Sequence, residues 1–155
     1  MTIIQNGERI GKQGKLLLGC SAVIFDEKGE KILLMQRDDN LQWCLPGGAM
    51  NPGESIREAC IREVWEETGL HILLKRMIGV YSSPHSLVVY PDGNQFHVVS
   101  LCFEGKMESG ALCTSEESLD LGYFSREEMQ DLELLENHVQ RIEDAYQGDP
   151  LPCIR

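Results

Sequence analysis

The amino-acid sequence predicts an α/β fold, a mixed β-sheet with helices packed on it, in one domain spanning residues 1–155. Three observations carry this. Strand-like runs and helical runs both occur, without the regular β-α-β alternation of a doubly wound fold. The 155 residues are 42% hydrophobic and 25% charged, enough for a sizeable core. No internal repeat, low-complexity tract or Pro/Ser-rich linker divides the chain.

Taken in order, residues 16–25 and 31–36 read as two strands, and Asp26-Glu27-Lys28-Gly29-Glu30 between them is a hairpin signal. Residues 41–45 read as a short strand that runs into Pro46-Gly47-Gly48. Helical periodicity follows over 55–68, with Ser55 as N-cap, Glu58 completing a capping box and Gly69 as the stop. Two strand-like runs, 71–82 and 96–103, flank the turn Tyr90-Pro91-Asp92-Gly93-Asn94. A last strand over 119–124 leads into Ser125-Arg126-Glu127-Glu128, a second capping-box pattern, and the acidic tail 126–146 reads as one helix.

Charge narrows the function. The chain carries 14 Lys+Arg and 25 Asp+Glu, a net charge of −11. Residues 1–103 hold 10 basic and 12 acidic side chains, whereas 104–155 hold 4 and 13. Such a surface repels a nucleic-acid polymer and an anionic membrane. A phosphate-bearing substrate would need a metal ion to approach. No apolar run reaches the roughly 20 residues that span a bilayer. The polar start, residues 1–15, lacks a secretory pattern. The six cysteines form no C-x-x-C pair and read as cytosolic thiols, so a cytoplasmic location is expected.

The chemistry lies in GGAMNPGESIREACIREVWEETGL, residues 47–70. At about 100° per residue, Glu63 and Glu67 continue the stripe of Ile56, Ala59 and Cys60, with Glu66 at its edge. Ile61, Val64, Trp65 and Thr68 form a second apolar patch, so the helix is expected to be covered on two faces. Three carboxylates within one turn repel one another and oppose the helix dipole near its C-terminus. Partly buried, at about 6 Å and an effective dielectric of 20, each pair costs roughly 2–3 kcal/mol. Hard divalent cations, Mg²⁺ above all, take such oxygen donors. A solvated acidic face is the alternative reading.

Gly48, Glu54, Arg62-Glu63-Val64, Glu66-Glu67 and Gly69-Leu70 fill every defined position of a 23-residue pattern that resembles the Nudix box. The flanking sequence, from the strand at Leu16 to the acidic tail, is similar to a Nudix domain over most of the chain. The resemblance implies an α/β/α sandwich around a mixed sheet, and hydrolysis of a nucleoside diphosphate linked to another moiety. It implies Glu63, Glu66 and Glu67 as ligands of Mg²⁺, or Mn²⁺, joined by the Gly48 carbonyl. Glu54 would act directly or through water, and Arg62 would orient the glutamates by ion pairing. A base from a later loop would be Glu116 or Glu117, which could equally be ordinary loop acids. His85 and His97 are read as structural.

Substrate cues are thinner. Trp43, Tyr81, Tyr90 and Phe96 could stack a base or pack internally. Pro84 and the turn at Tyr90 resemble features of ADP-ribose-cleaving and MutT-like members. An ADP-ribose-like substrate is therefore expected first and a (deoxy)nucleoside triphosphate second. A coenzyme A substrate is disfavoured because its arginine-rich motif is missing. Rival classes are a nucleotide-binding regulatory module without hydrolysis and an RNA-end processor, the latter opposed by the charge. The expected partner is a small nucleotide, and a homodimer is left open.

Overall fold

The computed structural model describes residues 1–155. Along the chain run β1 (Ile3–Asn6), β2 (Lys15–Ile24), β3 (Ile32–Arg37), β4 (Trp43–Cys44), α1 (Ile56–Thr68), β5 (Leu70–Tyr81), β6 (Ser86–Val89), β7 (Gln95–Gly110), β8 (Ser118–Phe124), α2 (Glu136–Gln147) and β9 (Cys153–Ile154). One sheet has the order β1-β6-β7-β5-β9, with β2 added alongside β7. It is mixed: β2 runs parallel to β7, while β5 and β6 pair with β7 antiparallel. A second, antiparallel sheet has the order β4-β3-β8.

Alternation along β2 builds the layers. Cys20, Ala22 and Ile24 point into a cluster with Ala59, Cys60 and Val64 of α1. Val23 points the other way, into a cluster with Ile142 and Ala145 of α2 and with Met129. A helix thus covers each side, which is the expected α/β/α sandwich. Full burial of aliphatic side chains such as Ile24, Leu33 and Leu34 contributes about 1.5–3 kcal/mol each. No helix is long and apolar enough to cross a membrane, and all six cysteines are free thiols.

Three expectations need correction. The turn at 26–30 forms, with Asp26 Oδ1 accepting from the amides of Glu30 (2.8 Å) and Lys31 (3.0 Å). However, β2 and β3 meet only at the Phe25–Ile32 bridge and then enter different sheets, so no extended hairpin results. The turn at 90–94 joins β7 to β6, a strand the sequence reading passed over along with β1 and β9. Finally, the tail is not one helix. The Ser125–Glu128 capping box opens only a 3-10 turn, Glu128–Asp131. The chain then runs extended because Trp43 claims its backbone: Trp43 N–H donates to Glu133 O and Trp43 O accepts from Leu135 N–H, both at 2.8 Å. Helix α2 starts only at Glu136.

Candidate active site

Helix α1 begins and ends where its local sequence dictates. Ser55 Oγ accepts from Glu58 N–H, Glu58 Oε2 accepts from Ser55 N–H, and Gly69 closes the last turn at φ 75°. That register grades the three carboxylates by burial. Glu67 is only 6% exposed, while the Glu63 and Glu66 side chains are 16% and 48% exposed. The second patch is less covered than expected. Val64 and Thr68 are buried, but Trp65 is half exposed and stacks on His71, its neighbour at the start of β5, at 6.0 Å.

Facing α1, the Pro46-Gly47-Gly48 turn lies along β2. Ala22 N–H donates to Pro46 O and Cys20 N–H to Gly48 O, both at 2.9 Å. Gly47 N–H then points at the helix and donates to Glu67 Oε2 at 2.7 Å. Gly47 has φ 148°, and a Cβ there would run into the Cys20 carbonyl and the Ser21 backbone. At Gly48 the atoms nearest to a Cβ would all belong to the Glu63 carboxylate, the far end of a flexible side chain. Gly47→Ala is therefore expected to cost about 2 kcal/mol or more. Gly48→Ala should cost less than about 1 kcal/mol while pushing Glu63 aside. Urea denaturation of the two variants checks the contrast.

Arg62 organises the exposed carboxylates. Its Nε and Nη2 form a fork on Glu54 (2.6 and 3.0 Å), and Nη1 reaches Glu63 (2.7 Å) and Glu66 (3.0 Å). Nη2 also donates to Ala49 O at 3.1 Å. The fork holds the Glu54 carboxyl down to about 2. Burial instead pushes Glu67 up to about 8, against the pull of the Gly47 N–H and helped by the charges of Glu63 and Glu117. Glu63 is also raised, mainly by burial. No three His, Cys, Asp or Glu side chains are grouped as a ready cation cage. What Glu54, Glu63 and Glu66 share is the Arg62 guanidinium.

The Gly47-Gly48 turn forms one end of a cavity of about 420 Å³ whose walls include Leu17, Val98, Leu135 and Tyr90. The NUDIX domain model matches residues 15–146. The chain belongs to the Nudix family. It is 46% identical over 66 residues to a putative 8-oxo-dGTP diphosphatase of Bacillus subtilis, covering 43% of this chain and 44% of that protein. It is 40% identical over 101 residues to an ADP-ribose pyrophosphatase of Methanocaldococcus jannaschii, covering 63% and 56%. The chain thus spans about half the length of these two curated relatives. Among solved structures, a NUDIX hydrolase from Nitrosomonas europaea superposes with a TM-score of 0.72 at 27% identity, over 89% of this chain and 93% of that one.

Within this Nudix fold the remaining residues named from sequence fall into two groups. Glu117 lies close enough for its charge to act on Glu63 and Glu67, and its neighbour Ser118 donates from Oγ to Glu67 O at 3.1 Å. Glu116 is exposed and makes no contact with the box glutamates. Of the aromatics, Tyr90 alone lines the cavity, backed edge-on by Phe96. Trp43 packs on Phe124, and Tyr81 donates to Asp144 Oδ2 at 2.8 Å. Pro84 O accepts from Gly11 N–H beside a 3-10 turn, away from the cavity. His85 Nδ1 accepts from Arg9 N–H, and His97 Nε2 lies 3.3 Å from Ser82 O.

Sequence reasoning missed Arg37, His138 and Arg141, all of which line the cavity. Arg37 is held by Asp39 at 2.8 Å, and its charge also acts on Glu67. No local motif marks these residues.

Proposed function

We propose that this chain hydrolyses the pyrophosphate linkage of a nucleoside diphosphate derivative with the help of a divalent cation, Mg²⁺ or Mn²⁺. One observation carries the reading. The box glutamates are gathered by Arg62 and by the Gly47-Gly48 turn, and that turn, though none of the glutamates, lines a cavity large enough for a small ligand.

The donor chemistry fits such a cation. Glu63, Glu66, Glu67 and the Gly48 carbonyl offer only hard oxygen ligands. The missing side chain at Gly48 is what lets the Glu63 carboxylate sit against the turn. When bound, the cation would offset the diphosphate charge and acidify water. The chain supplies the rest. Arg62 fixes Glu54, Glu63 and Glu66, so these groups lose less freedom when they engage. Gly47 N–H anchors one oxygen of Glu67 and leaves the other to act. Glu117, whose charge acts on Glu63 and Glu67, would accept a proton from the attacking water. The leaving group departs as a phosphate ester in an in-line displacement at phosphorus.

Two substrate classes come forward, ADP-ribose-like derivatives and (deoxy)nucleoside triphosphates. They correspond to the printed names of the relatives, an ADP-ribose pyrophosphatase and a putative 8-oxo-dGTP diphosphatase. A panel of both classes with Mg²⁺ tests hydrolysis, read as phosphate released after phosphatase treatment for the ADP-ribose-like derivatives and after inorganic pyrophosphatase treatment for the triphosphates. Nucleotide binding without turnover would instead assign a regulatory module.

Divalent cation is also expected to stabilise the fold. A ligand that binds only the native state adds stability with concentration, and this one also relieves carboxylate repulsion. A rise of several degrees in Tm with millimolar Mg²⁺ and a substrate analogue is the expected result. An unchanged Tm would remove the glutamates from the role of ligands.

A further inference from the structure

Arg141 is 5% exposed, yet it takes part in none of the ion pairs of the chain. A buried guanidinium without a carboxylate is costly. Its Nε is buried without a hydrogen-bond partner. Nη1 reaches Ser21 Oγ at 3.3 Å, and the group lies 5.4 Å from the centre of the Tyr81 ring. These contacts leave donors unsatisfied.

His138 adds to the excess. Its Nδ1 lies 3.0 Å from Leu45 N–H, which can only donate, so Nδ1 is the bare nitrogen. Burial and the Arg141 charge hold the ring neutral, which places its proton on Nε2. Nε2 lies 3.3 Å from Arg141 Nη1. Two donors therefore face each other, and one acceptor set between them, an oxygen of water or of a ligand, would satisfy both. Both residues line the cavity that starts at Gly47-Gly48. Asn137, on the same wall, has a buried Oδ1 with no partner.

We infer that Arg141 and His138 read the substrate's base, and that they select a 6-oxopurine, guanine or hypoxanthine, over adenine. This rests on the reading of the cavity as a nucleotide site. Guanine presents O6 and N7 as adjacent acceptors, the pair that a guanidinium engages with two donors. Adenine places an amino donor where O6 would be, against Arg141 and His138, and its N1 is a bare acceptor. The aliphatic walls and Tyr90 suit the faces of a planar ring rather than a second phosphate. The preference runs against the adenine of ADP-ribose, the substrate class the sequence favours.

Equilibrium dialysis in metal-free buffer with EDTA tests the inference without turnover. On the wild-type chain, GMP and IMP are expected to bind about tenfold or more tightly than AMP, and removal of N7 in 7-deaza-GMP should weaken binding several-fold. Arg141→Met, checked for folding by its melting curve, should bring the GMP-to-AMP ratio close to one. AMP binding as tightly as GMP overturns the inference. So does equal binding of ribose 5-phosphate, a ratio that survives in folded Arg141→Met, or no binding by any of the three purine nucleotides at millimolar concentration. Hydrolysis with no base preference would leave the enzymatic reading standing and remove this one. Base-selective binding without turnover would do the reverse.

Discussion

Glu67→Gln is expected to lower kcat by about 10²–10⁴-fold at saturating divalent cation while the protein stays folded. The substitution keeps the shape of the side chain, and the amide oxygen can still accept from Gly47 N–H. What it removes is a negative oxygen at the most buried point of the acidic stripe. Burial already disfavours that charge, so loss of it should leave the metal-free fold as stable as before or more so. The pH response gives an independent check. With its carboxyl pushed from 4.5 up to about 8, folded Glu67 holds a proton more readily than the unfolded chain does. Its contribution to stability is present below about pH 4.5 and is lost as pH rises through about 8. Metal-free wild type should therefore lose Tm across that window, and Glu67→Gln should flatten the decline. Near-normal turnover in the variant would separate Glu67 from catalysis.

Arg62→Ala is the second substitution with a large expected effect. The guanidinium is the only cation bonded to Glu54, Glu63 and Glu66, and its removal leaves like charges facing one another. Groups that orient metal ligands typically matter by about 10–100-fold, and a fall of that size in kcat/KM is expected. Metal-free Tm should also drop, and Mg²⁺ should raise it by more than in wild type, since the cation then relieves more repulsion. Arg62→Lys should rescue little, because an ammonium cannot make the two-pronged contact with Glu54. A folded Arg62→Ala variant with unchanged kcat/KM would show that the network positions nothing of consequence.

What could be read from the sequence was local. Ser55, Glu58 and Gly69 fix the ends of α1 within a few residues of themselves, so the angular positions of Glu63, Glu66 and Glu67 followed. The buried Glu67 and half-exposed Glu66 agree with those angles. What could not be read depends on partners far along the chain. The tail helix is interrupted because Trp43 pairs with backbone about ninety residues later, and nothing in residues 126–136 records that demand. The separation of β2 from β3 is decided by β7 and β8, which claim them for different sheets. The cavity wall is of the same kind. Arg37, His138 and Arg141 sit on separate elements and are neighbours only in space.

Strand β2 has a consequence for how this molecule could change over generations. Cys20 supports the turn at Gly48 from one side, and the adjacent Ser21 meets Arg141 on the other. The turn that faces the box glutamates and the wall proposed to meet the base thus hang on one strand and line one cavity, with separate packing clusters on the two sides of the sheet. Mutational drift on α2 would retune appetite for a nucleotide through Arg141 and His138, whose contacts with Ser21 and Leu45 reach the strand and turn that face α1. A library randomised at positions 138 and 141, sorted first for folded members, is a practical route to altered selectivity.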